Sequence, residues 1–195
     1  MKRVGLALAL ASISSSALGD PLTDALKQAG GILCFARSYD SAWLKTHRGQ
    51  TVRNVRFAIT PNSFAELAPI MRMSLLGSRK PIYTYGFCEW MEGNLNRGVQ
   101  GNILDDTFKP TTGVGCSMMT DTTGQSAEEG GSFPVAWGGG RYIEVHLGGQ
   151  ATGWHSYNVH RQVSFEDLTK ADSIFRLNRA PPSACSELVT SLAPG

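Results

Sequence analysis

The histidines are where chemistry would first be sought. There are four, and three of them fall late in the chain. Glu144 and His146 stand two apart, so on a strand they share one face, and His155 and His160 follow closely. Two ligands on a strand with others from a nearby loop is a geometry that zinc and copper sites use. Against this, Ile143, Val145 and Leu147 alternate with them and claim the core face. Glu144 and His146 are thus expected on the solvent side, and the spacing matches no metal motif. A metal-dependent enzyme or secreted hydrolase would need Glu144, His146, His155 and His160 to converge. That is the second functional reading, and the sequence implies no cofactor.

Other constellations are weaker. Asp105-Asp106, Glu128-Glu129 and Glu166-Asp167 are carboxylate pairs, but adjacent side chains point apart and none sits beside an apolar run that would raise a pKa. Glu92 to Gly98 resembles the start of a calcium loop, yet its glycine falls one position late and Ile103 stands where the closing Glu belongs. No GxSxG, no phosphate-binding loop and no dinucleotide fingerprint is present. No catalytic residue is assigned, and a non-enzymatic protein is the favoured expectation.

The aromatics give the best remaining hint of binding. Tyr83, Tyr85, Trp90, Trp137 and Trp154 lie on or beside expected strands, with Tyr142 and Tyr157 nearby. Half-exposed amphipathic rings at a barrel mouth suit sugars or small apolar ligands, although aromatics fill cores as readily. Asn94 and Asn96 join this candidate set because they lie in the long irregular segment Met91–Thr112, rich in Gly and Asn, a natural place to present a recognition surface.

These residues must be held by a framework, and the ends of the chain say where it is built. Met1-Lys2-Arg3, an apolar run from Val4 to Ile13 and the small residues Ala17-Leu18-Gly19 form a secretory leader, expected to be cleaved before Asp20. Residues 20–195 are then read as one exported β-rich domain, periplasmic or secreted. The chain has 18 basic and 16 acidic side chains; loss of Lys2 and Arg3 with the leader leaves 16 of each. That balance offers nothing to draw in nucleic acid. No stretch after the leader is long and apolar enough to span a membrane. The expected partner is a small molecule or an envelope or extracellular protein, with a structural envelope component as a third reading.

Four cysteines in an exported chain suggest two disulfides, with three possible connectivities. There is no CxxC. Cys88–Cys116 would tie neighbouring strands, and Cys34–Cys185 would join the first strand to a terminal helix on which Cys185, Leu188, Val189 and Leu192 share a face.

The elements follow from the alternation of side chains. Asp20-Pro21 caps a short lid or staple helix that Gly30-Gly31 stops. Strands are expected over Ile32–Ser38, Gln50–Thr60, Ile70–Leu76, Pro81–Trp90, Gly113–Thr120, Ser132–Trp137, Arg141–Leu147 and Asp172–Asn178, while Trp154–Val163 is less regular. Asp40 is placed to cap one helical turn. Gly138-Gly139-Gly140 marks a hairpin. Pro81–Trp90 is apolar on both faces, as a strand covered on two sides should be. No βαβ rhythm appears. The expected fold is mainly β: an antiparallel barrel or sandwich of about eight or nine strands with short N- and C-terminal helices and two disulfides. In overall plan the chain resembles several unrelated exported small barrels, including calycin-like binders and periplasmic enzyme inhibitors.

Overall fold

Alternating side chains along the strands commit one face of each to a common interior, and the strands close on themselves around it. A computed structural model describes residues 20–64, 68–92, 112–118, 131–147, 152–154, 162–164 and 170–190. Its strands are β1 (Leu33–Ser38), β2 (Val52–Ile59), β3 (Ala68–Leu75), β4 (Ile82–Met91), β5 (Gly113–Met118), β6 (Ser132–Trp137), β7 (Tyr142–His146), β8 (Thr152–Trp154), β9 (Gln162–Ser164) and β10 (Ile174–Ala180). β1 to β7 pair in sequence, β10 pairs with β7, and β1 pairs with β10. The result is a closed antiparallel barrel of eight strands, β1 to β7 and β10. Closure removes the exposed edges that an open sheet would carry. β8 and β9 form a hairpin outside the ring, where a less regular segment was expected. It adds to β4 at Tyr83, a stretch of β4 that β5, paired with residues 86–91, does not reach.

The interior is packed. Leu33 and Phe35, Val55, Phe57 and Ile59, Met71 and Met73, Phe133 and Val135, Ile143 and Val145, and Phe175 and Leu177 are all buried in one core. The inner face of β4 adds Ile82 and Cys88, and the Cys88–Cys116 disulfide joins directly opposed residues of β4 and β5 with a Cα separation of 4.1 Å. Thr84, on the same face, is fully buried, and its hydroxyl has no hydrogen-bond partner among the described residues. Gly86 pairs with β3 on one side and β5 on the other. A Cβ there would lie 2.3 Å from the Ser117 carbonyl oxygen, so this close approach of backbones requires glycine.

Among the described residues three short α-helices complete the fold: α1 (Pro21–Gln28), α2 (Ser41–Thr46) and α3 (Ser186–Thr190). The Asp20 carboxylate accepts from the Thr23 N–H at 2.8 Å, and Asp40 accepts from the Trp43 N–H at 2.7 Å, so both expected caps form. α1 ends in a Schellman turn. The Gly31 N–H donates to the Leu26 carbonyl and the Gly30 N–H to the Lys27 carbonyl, with φ of 90° and 70° at the two glycines. α3 lies against the outside of β2 and β3. The Cys34–Cys185 disulfide fastens the short turn before it to β1, with Cα atoms 5.7 Å apart. Arg56 and Arg72, like charges directly opposed on β2 and β3, are both met by Glu187 of α3 at 3.7 and 2.9 Å.

At the end of the barrel where β2 begins, a buried carboxylate takes over from side-chain packing. Asp172 accepts from the Thr51 N–H and hydroxyl, both at 2.6 Å, and from the Val52 N–H at 3.1 Å. Asp172→Ala would strand these donors. It is expected to lower unfolding stability by about 3 kcal/mol, with Asp172→Asn costing less because one acceptor survives; urea denaturation measures both.

Candidate functional site

α1 lies across the end of the barrel formed by the start of β1, the ends of β2, β4 and β10, and the β6–β7 hairpin. Its Leu22 and Leu26 point into the core. Beneath it, Trp90 at the end of β4 and Trp137 at the end of β6 meet edge to face, with ring centroids 6.1 Å apart and planes at 81°. Trp137 also meets Phe35 edge to face at 6.0 Å. Both indoles are half-buried. The Trp90 indole N–H is buried with no acceptor among the described residues. Such a donor is costly to leave unmade.

A cleft flanks α1 on each side. The first, about 500 Å³, is mainly apolar and is bounded by Leu22, Leu26, Gly31, Pro61 and Trp90, with Asp20 and Lys27 also in its wall. The second, about 600 Å³, runs between α1 and the hairpin and is more polar. Its wall holds Trp137, Arg141, Arg179, Asp24 and Gln28. Burial alone would raise the Asp20 carboxyl, but the bonds from the Thr23 hydroxyl and N–H outweigh it and hold the group below its usual value. The helix cap therefore stays charged at neutral pH.

The expected ligand set is divided by the sheet. Trp90 and Trp137 come together at the mouth. Tyr83 and Tyr85 stand on the outer face of β4, away from it. Tyr85 is 1% exposed, whereas Tyr83 is only partly covered and receives a 3.4 Å hydrogen bond from Arg72. Trp154 belongs to β8, paired with Tyr83, and its side chain lies outside the described residues. So do Asn94 and Asn96, with residues 93–111 of the long segment singled out for recognition.

Of the candidate metal ligands, His155 and His160 lie outside the described residues. Glu144 and His146 share the outer face of β7 as expected. His146 departs from the solvated position anticipated for it, being only partly exposed. Glu144 faces Arg176 of β10 across the strand pair, at 4.0 Å. Among the described residues no group of three His, Cys, Asp or Glu side chains is placed to hold a metal ion. No helix there is long and apolar enough to cross a membrane.

Family models, curated proteins and solved structures were all compared with the chain, and none matches it.

Arg141 and Arg179 were not singled out from sequence. Arg179 follows Phe175 and Leu177 at the strand period, so it is a charge at the end of an apolar row; the strand expected to end at Asn178 stops one residue before that signal.

Burial holds the His146 imidazole below its ordinary value near 6.5, with the neighbouring Glu144 charge opposing the shift. The folded state thus favours neutral His146. Its contribution to stability is complete above about pH 6.5 and is lost as pH falls toward the lower folded value. Stability measured from about pH 7.5 down to about pH 5 is expected to decline, and His146→Gln to flatten the decline; an unchanged slope in the variant would contradict this.

Proposed function

We propose that this chain is an exported, non-enzymatic β-barrel that binds a small molecule with an apolar body at the mouth beneath α1. The Trp90–Trp137 pair carries the reading. Two large amphipathic rings, half-buried and set at right angles between two clefts, offer both a flat apolar surface and an edge. The clefts are of small-molecule size. Among the described residues, the side chains of the strands pack into one core and these two clefts lie at the mouth. The buried indole N–H of Trp90 would gain from an acceptor on a ligand. Two formed disulfides fit an oxidising compartment and support the leader reading of residues 1–19. The metal reading has less support: Glu144 is directed to Arg176, and a strand pair alone does not make a coordination shell.

Native mass spectrometry of the protein purified from its own compartment tests this. A retained small molecule is expected, lost or reduced in Trp90→Ala. Bare polypeptide in both forms, or a retained molecule indifferent to Trp90, would overturn the reading.

A further inference from the structure

Resting on the mouth as a ligand site, we propose that the cleft between α1 and the β6–β7 hairpin takes an organic anion, with its acidic group on Arg141 and Arg179 and its apolar body against Trp137. The two arginines are far apart in sequence and brought together by the fold. The Arg179 N–H donates to the Arg141 carbonyl at 2.8 Å, and both residues line the cleft. Arg56, Arg72 and Arg176 each have a carboxylate partner. Arg141 and Arg179 have no ion pair among the described residues. The Arg179 guanidinium lies over the Phe35 ring, 5.5 Å from the centroid. Partial desolvation holds the Arg179 guanidinium below its usual value, and no carboxylate offsets it. Asp24 lines the same cleft but lies beyond ion-pair distance of either arginine, so among the described residues the wall carries two cations against one anion.

Helix capping does not explain the pair. The Ala25, Leu26 and Lys27 carbonyls at the end of α1 already accept from Ala29, Gly30 and Gly31. The hairpin brings Arg141 to the cleft by a tight glycine turn. Gly139 and Gly140 have φ of 65° and 77°, and a Cβ on Gly138 would lie 2.6 Å from the Tyr142 ring and carbonyl. Gly140 packs over Trp137, where a Cβ would stand 3.6 Å from the indole. The glycine turn thus sets Arg141 and Trp137 on the wall of one cleft with Arg179, and two arginines beside a flat apolar surface match a carboxylate, sulfonate or phosphate borne on an apolar body.

Two fluorescent probes of similar ring structure separate the parts of this claim: anilinonaphthalene sulfonate, which is anionic, and phenylnaphthylamine, which is neutral. The intact disulfide-bonded protein is expected to bind both, the anion about tenfold more tightly. The Arg141→Gln/Arg179→Gln variant should lose that preference and keep its affinity for the neutral probe. The Arg141→Lys/Arg179→Lys variant, which keeps the charge but not the fork, should retain part of it. Added salt should weaken only the anion. Equal binding of the two probes by the unmodified protein, or equal weakening of both in the glutamine variant, would overturn the anion site and leave the mouth as a ligand site. Binding of neither would overturn both. Thermal melts of each variant check that the fold is kept, and a variant that has lost it is replaced by the single Arg141→Gln change in the hairpin.

Discussion

Closure of the barrel by β1 and β10 is the interaction on which everything else depends. Cys34, Phe35 and Ala36 face Ala180, Arg179 and Asn178 across that seam, joining residues from opposite ends of the described chain. Every other neighbouring pair in the ring except β7 with β10 is a sequential hairpin or meander contact. The seam therefore carries most of the chain-closure cost. The Cys34–Cys185 bond sits beside it, since Cys34 is the seam residue opposite Ala180 and Cys185 follows five positions later. By loop entropy alone, a bridge of this span would add about 5 kcal/mol. The seam sets Arg179 opposite Phe35, while the β10–β7 pairing on its other side brings it beside Arg141, so the mouth is complete only once the ring is shut.

The two ends of the barrel are finished by different physics. One is closed around Asp172, whose carboxylate satisfies backbone and hydroxyl donors at the start of β2. The other is closed by apolar contact, with Leu22 and Leu26 of a two-turn helix resting on Trp90 and Trp137. A helix that short has little stability of its own and holds through its cap, its glycine stop and its buried leucines. An end closed by a small apolar plug leaves clefts beside it, whereas the hydrogen-bonded end does not need them.

Much of this could be read from the residues, and the remainder could not for physical reasons. Alternation placed Val55, Phe57 and Ile59 inside and Arg56 outside, because side-chain direction in a strand is set locally. The helical spacing of Cys185 and Leu188 pointed to the Cys34 bridge that forms. The three glycines at 138–140 gave the hairpin. Barrel against sandwich stayed open because alternation reports which face is buried and says nothing about which strands are neighbours. Alternation along Pro81–Trp90 sets Trp90 on one face and Tyr83 and Tyr85 on the other, as the fold has them, but it could not say that Trp137 of another strand would meet Trp90.

The central claim is that ligand recognition belongs to the mouth beneath α1. Trp43 supplies an internal control, being exposed at the opposite end of the barrel, where it stacks on His47 at 3.8 Å and donates its indole N–H to Gln50. Nuclear magnetic resonance of the indole N–H groups, assigned by single Trp→Phe variants and followed during titration with phenylnaphthylamine, addresses the claim directly. The account predicts that the Trp90 and Trp137 resonances shift together while Trp43 stays in place. A shift of Trp43 with Trp90 and Trp137 unmoved would contradict it.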